Sequence, residues 1–124
     1  MNISRIDIVS VPVSDPAVSK VFYSETLGFD VIRDDPMGPD RRWIQLMPKG
    51  AETSITLVSW FEKMPPGVLQ GMVLDTDDID VTHGELKRRG LDISEIDNAP
   101  WGRYATFSDP DGNGWIVQQA VSGS

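Results

Sequence analysis

His83 is the only histidine of this 124-residue chain, and the chain has no cysteine. Those two counts remove much of the chemistry a small protein can do. No disulfide, thiolate nucleophile or cysteine-ligated zinc or iron–sulfur site can form. One histidine cannot furnish a two-histidine, one-carboxylate iron centre from a single chain. His83 falls between Ile79 and Leu86 on an apolar helical stripe, where one hydrogen bond would satisfy it. A general-base role would need its ring to reach a ligand. Asp34, Asp35 and Asp40 make an acidic loop, read either as solvated charge or as a weak calcium-type, cation-attracting rim. Asp109 and Asp111 read as turn formers. What the chain has in plenty is aromatic surface: Trp43, Trp60, Trp101 and Trp115. Such rings stack on planar ligands or hold a cation.

Nineteen acidic against eleven basic residues give a net charge of −8. That surface repels phosphate backbones and anionic membranes, so neither nucleic acid nor membrane is an expected partner. With 40% hydrophobic and 24% charged residues, the composition is that of a globular domain. A chain of this length buries about two thirds of its surface on folding. There is no run of 18 apolar residues, and Asp7 interrupts any signal-peptide core. A cytoplasmic location is the expectation.

The elements follow from pattern and punctuation. Residues 3–13 alternate β-branched side chains as a strand, with Val9, Val11 and Val13 on one face and Ile8, Ser10 and Pro12 on the other. Pro12 marks an edge or a strand end. Asp15-Pro16 caps and opens a helix that runs to Gly28. Strands follow at about 29–35, 42–48 and 53–60. The second half repeats the order: a strand at about 69–76, a helix at about 78–89, and strands at about 91–95, 102–108 and 113–119. Leu27-Gly28-Phe29 and Arg89-Gly90-Leu91 stand 62 residues apart (90 − 28), half the chain. The halves therefore read as a tandem of one βαβββ unit, about 3–62 and 67–120, joined by Met64-Pro65-Pro66-Gly67 in one domain. A four-strand unit with one helix leaves one sheet face uncovered, and two such faces can enclose a cavity or pair with another chain.

Val11-Pro12-Val13-Ser14-Asp15, Phe22-Tyr23 and Leu27-Gly28-Phe29 resemble the opening of the vicinal oxygen chelate superfamily, which includes glyoxalases, bleomycin-resistance proteins and extradiol dioxygenases. Asp77-Asp78 and Phe107-Ser108-Asp109-Pro110-Asp111-Gly112-Asn113 look like the matching signatures of its second module. The resemblance implies an α+β fold: two βαβββ modules forming cup-shaped mixed sheets with helices outside, and a homodimer. It implies no reaction by itself. Enzymes of that family hold a divalent metal with histidine or glutamate on the concave face. Matching motifs residue by residue puts the four ligand positions on Ile8, Thr56, Gly71 and Ile116. Hydrocarbon and glycine supply no donor, and a threonine hydroxyl is a poor lone ligand. A one-residue slip would bring in Asp7 and Gln70, but they would face away from the cup.

The expectation is thus a greasy cup with a few oriented polar groups, suited to binding rather than to acid–base work. Its first half would be lined by Ile8, Ser10, Trp43, Gln45, Thr56 and Trp60, its second by Gly71, Trp101, Arg103, Ile116 and Gln118. Trp115, opposite in parity to Ile116, would face the helix. Trp43 and Trp60 would sit near the rim or a subunit contact. Trp101, between Pro100 and Gly102, suits a pocket wall and plain packing equally. Arg41-Arg42 and Arg103-Tyr104 stand 62 apart (103 − 41) on corresponding strands. One residue of each pair would turn inward, where an arginine would clamp a carboxylate or phosphate; the other reading is solvated charge. The resulting expectation is a metal-independent, cofactor-free binder of an aromatic or cationic small molecule. A glyoxalase-like lyase or isomerase with unusual ligands, and a ligand-free dimerisation module, are the alternatives.

Overall fold

The computed structural model describes residues 1–120. Asp15 begins the first helix by accepting hydrogen bonds from the backbone N–H groups of Ala17 (3.0 Å) and Val18 (3.4 Å). Pro16 fills the first helical position, where no N–H is needed. Helix α1 covers Pro16–Val21 and widens into a π-helical turn, Phe22–Thr26, which the sequence pattern does not announce. Its Leu27 N–H reaches back five residues to the Phe22 carbonyl (3.1 Å). In the second half Asp78 caps α2 (Ile79–Arg88) through the N–H of Val81. Ile79, His83 and Leu86 form its buried face, as the periodicity predicts.

The strands are β1 (Ile8–Pro12), β2 (Asp30–Pro36), β3 (Arg42–Met47), β4 (Ser54–Val58), β5 (Met72–Asp75), β6 (Asp97–Ala99), β7 (Gly102–Ser108) and β8 (Gly114–Ala120). They form two mixed four-stranded sheets of identical topology, β1-β4-β3-β2 and β5-β8-β7-β6. In each, the first strand pairs parallel with the last: Ile8 opposite Ser54 through Pro12 opposite Val58, and Met72 opposite Trp115 through Asp75 opposite Gln118. The α+β tandem read from the sequence is present. Pro12 ends an edge strand, where its missing N–H breaks no ladder.

Two boundaries differ from the pattern. Residues 3–7, read as the start of the first strand, are exposed and lie outside the sheet, because β4, the partner of β1, begins only at Ser54. The strand expected at 91–95 is instead a loop that buries Ile93, and β6 forms later at Asp97–Ala99. Ser94 is the reason: its hydroxyl, not its backbone carbonyl, accepts the Thr106 N–H (2.8 Å). Its carbonyl is left for the Nε2 of His83 (2.7 Å). The lone histidine thus sits satisfied on the helix side.

The helix-facing side chains of both sheets merge into one core, including Val11, Leu46 and Leu57 from the first and Ala105, Phe107 and Val117 from the second. At its centre the modules are riveted together. Tyr23 donates to Asp109 (2.7 Å) and accepts from the indole N–H of Trp115 (3.0 Å). The Asn113 amide donates to Asp109 (2.8 Å) and to the Pro12 carbonyl (2.7 Å). Burial first, then the hydrogen bond to Asp109 and its charge, push the Tyr23 hydroxyl far above its ordinary value, so it stays protonated. The linker closes on the same turn: a Cβ on Gly67 would lie 2.2 Å from the Asp111 carbonyl oxygen, so only glycine fits. No described helix is long and apolar enough to cross a membrane.

Candidate functional site

Strand alternation and register divide each sheet into a helix face, spent on the common core, and a second face, here called the cup face. On the first sheet the cup face carries Ile8 and Ser10 of β1, Thr56 of β4, and Trp43 and Gln45 of β3. On the second it carries Val73 and Asp75 of β5, Ile116 and Gln118 of β8, and Tyr104 and Thr106 of β7. Gly71 immediately precedes β5. Since both helix faces serve one core, both cup faces lie outside it. Val73 is 50% exposed, and Ile8 and Thr106 are exposed as well. A groove of about 570 Å³ is lined by the 48–53 turn, by helix-face residues such as Val9, Met72 and Leu74, and by the cup-face residues Val73 and Asp75 of edge strand β5.

Several polar groups of the cup faces are held by hydrogen bonds within their own sheet. The Trp43 indole N–H donates to the Gln45 carbonyl oxygen (2.9 Å), and the Gln45 amide donates to the Ser54 hydroxyl (2.7 Å). That hydroxyl in turn donates to the Asp7 carbonyl (3.3 Å). Thr56 donates to the Ile44 carbonyl (3.0 Å) and is only 1% exposed, so its hydroxyl, although on this face, is covered and already committed. On the second sheet Gln118 donates to Asp75 (3.0 Å). Outward stand Ile8, Val73 and aromatic rings together with charge: Arg33 and Asp35 of β2, which face the same way as Gln45 and Trp43 and pair with each other (3.2 Å), and the exposed Asp75 and Thr106. Trp101, 50% exposed, stacks on Tyr104 with ring centroids 5.0 Å apart. Beyond β4, the Arg41 guanidinium lies 5.3 Å from the centroid of Trp60. Periodicity alone could have placed Val73 and Tyr104 on this face; neither carried a motif.

Arg103 goes elsewhere. It is on the helix face and forms a two-pronged pair with Asp80 of α2 (2.8 and 3.1 Å). The bonds from Arg103 hold the Asp80 carboxyl below its ordinary range. The uniform spacing of 62 does not survive in the strands. Register equates Ser10 with Val73 (73 − 10 = 63), Gln45 with Thr106 (106 − 45 = 61) and Thr56 with Ile116 (116 − 56 = 60). The counterpart of Arg103 is therefore Arg42 (103 − 61), not Arg41. Arg42 likewise turns to the helix face and pairs with Asp34, which Lys20 of α1 also holds (2.6 Å). Those partners, Lys20 first, lower the Asp34 carboxyl. Trp115 is buried against Tyr23, Phe29 and Phe107 on the helix side, as its parity predicts.

A family model described as the Glyoxalase/Bleomycin resistance protein/Dioxygenase superfamily matches residues 5–117. The chain belongs to this superfamily. Among solved superfamily structures, TnmS3, an antibiotic binding protein from Streptomyces sp. CB03234, is 50% identical with a TM-score of 0.92, over 98% of this chain and 99% of that one. A superfamily member from Sphaerobacter thermophilus DSM 20745 is 32% identical with a TM-score of 0.85, over 94% of this chain and 98% of that one. In sequence, YetH of Bacillus subtilis (strain 168) is 36% identical over 121 residues, 94% of this chain and 99% of that protein.

The metal expected of superfamily enzymes does not fit the donors present. Ile8, Thr56, Gly71 and Ile116 offer one neutral hydroxyl among them, and its proton already goes to the Ile44 carbonyl. Among the described residues, no three His, Asp or Glu side chains are grouped closely enough to hold an ion. A divalent cation needs several nitrogen or oxygen donors at about 2.0–2.2 Å.

Proposed function

We propose that this protein binds and sequesters an aromatic small molecule of antibiotic type on its cup faces, without a metal and without altering it. A second copy of the chain closes the cup, and the cytoplasm is where it acts. The observation that carries this reading is the chemistry of the cup faces. Exposed Ile8 and Val73 and the stacked Trp101 and Tyr104 offer aliphatic and aromatic surface, while Gln45 and Gln118 are engaged with neighbouring side chains. Such a surface gains from burying a flat apolar molecule, at about 25 cal/mol per Å². It offers no paired acid and base for turnover. The 50% identity to a protein described as antibiotic binding supports the same ligand class.

The test is a thermal-unfolding screen against aromatic antibiotics and aromatic cations, with light scattering to count copies. A ligand at 100 times its dissociation constant adds about 2.7 kcal/mol, a midpoint rise of several degrees. The compound recovered after binding should be chemically unchanged. Turnover of the compound, or tight uptake of Ni²⁺, Zn²⁺ or Mn²⁺ by the purified protein, would replace this reading with a catalytic one.

A further inference from the structure

We infer that Gln45 and Ser54 are positioning residues that lock the indole of Trp43, so that this ring meets the ligand by its π-face alone. The inference rests on the sequestration reading and deepens it. The direction of the relay is fixed from its buried end. The Asp7 carbonyl can only accept, so the Ser54 hydroxyl donates to it and accepts from Gln45. That puts the amide N–H₂ of Gln45 toward Ser54 and its oxygen toward the indole N–H. Ser54 is itself buried and anchors the chain of bonds to β4. Trp43 is half-buried, with its only donor consumed.

Two consequences follow for the ligand. A group seeking a hydrogen bond from Trp43 finds none, whereas a flat ring or a cation over the indole face is favoured. The ring is also held before binding, so little side-chain freedom is lost when the ligand arrives. Trp101 provides the contrast: its indole N–H makes no hydrogen bond among the described residues, and the ring is half-exposed.

The experiment uses 9-aminoacridine, a flat aromatic cation, as probe, and follows the four indole N–H signals by ¹⁵N NMR, with Trp43→Phe assigning the relevant one. In the wild type, the Trp43 indole N–H should exchange with solvent far more slowly than that of Trp101. Gln45→Leu should bring the two rates together and weaken probe binding about tenfold at a temperature where both proteins are folded. Gln45→Glu keeps the acceptor oxygen and should keep the slow exchange. A purely structural role would lower the melting temperature without changing affinity in the folded protein. Fast exchange at Trp43 in the wild type overturns the lock. Unchanged affinity in Gln45→Leu overturns the positioning role. A wild type that exchanges slowly but binds no probe leaves the lock standing, yet removes both the recognition claim and the aromatic-ligand reading.

Discussion

At the joint between the modules, Asp109 is 5% exposed and receives bonds from Tyr23 and Asn113, residues 86 and 4 positions away, while Asn113 reaches Pro12 across 101. On the first cup face, Gln45 bonds only to Trp43 and Ser54, 2 and 9 positions away in the same sheet. Both regions satisfy their polar groups, with opposite results. The joint hides charge in order to hold two distant segments together. The first cup face spends the Gln45 amide within its own sheet and holds the Trp43 ring in place. If the first region carries stability and the second the proposed recognition, mutations should separate the two.

Asp109→Ala should have the largest effect. It strips Tyr23, Asn113 and two turn N–H groups of their acceptor in a buried setting, costing about 3 kcal/mol or more. Urea unfolding measures this, and a loss below about 1 kcal/mol would deny the joint its role. Tyr23→Phe should cost about 1–2 kcal/mol at neutral pH, by leaving the Trp115 N–H without a partner. The raised Tyr23 value also sets a pH window. In the unfolded chain tyrosine ionises near pH 10 and in the folded chain much higher, so the contribution is complete below about pH 10 and declines above it, by up to about 1.4 kcal/mol per pH unit. Tyr23→Phe should flatten that alkaline decline in a pH series of unfolding midpoints.

Val73→Asp tests the other side of the comparison. An exposed position should change stability by no more than about 0.5 kcal/mol, while light scattering and ligand titration should show weaker assembly or weaker binding. If stability falls instead, the cup face belongs to the core. Arg103→Gln should have the smallest effect: no resolvable change in unfolding midpoint or in ligand affinity, since its partner Asp80 is an exposed helix residue. A loss of ligand affinity would restore the inward-clamp reading of this arginine.

The parts of the molecule legible in the sequence are those fixed by local chemistry. Asp15-Pro16 and Asp78 mark helix starts because a capping carboxylate acts on N–H groups two or three residues away. Alternation predicted the cup-face positions of Ile8, Ser10, Gln45, Ile116 and Gln118. It left open which of Arg103 and Tyr104 turns inward; the register gives that place to Tyr104 and sends Arg103 to the helix face. The joint was hidden for a different reason. Asp109 looks like an ordinary turn residue, and nothing near it in sequence signals Tyr23. The π-helical turn that contributes Tyr23 has no local signature either. Pairing of Ser94 with Thr106 through a hydroxyl moved β6 past the segment whose alternation suggested it.

Gly71 bears on the chemistry open to this fold. The family resemblance places there one of the positions at which superfamily enzymes carry a chelating side chain, and the space around it is empty. Its backbone, however, has φ = +82°, a region that a side-chain-bearing residue enters at about 1–2 kcal/mol. Installing histidine there meets no steric wall but begins with a conformational handicap, before any of the other three positions has changed. Metal-assisted chemistry through residue 71 is therefore harder to build into this chain than the open space around it suggests.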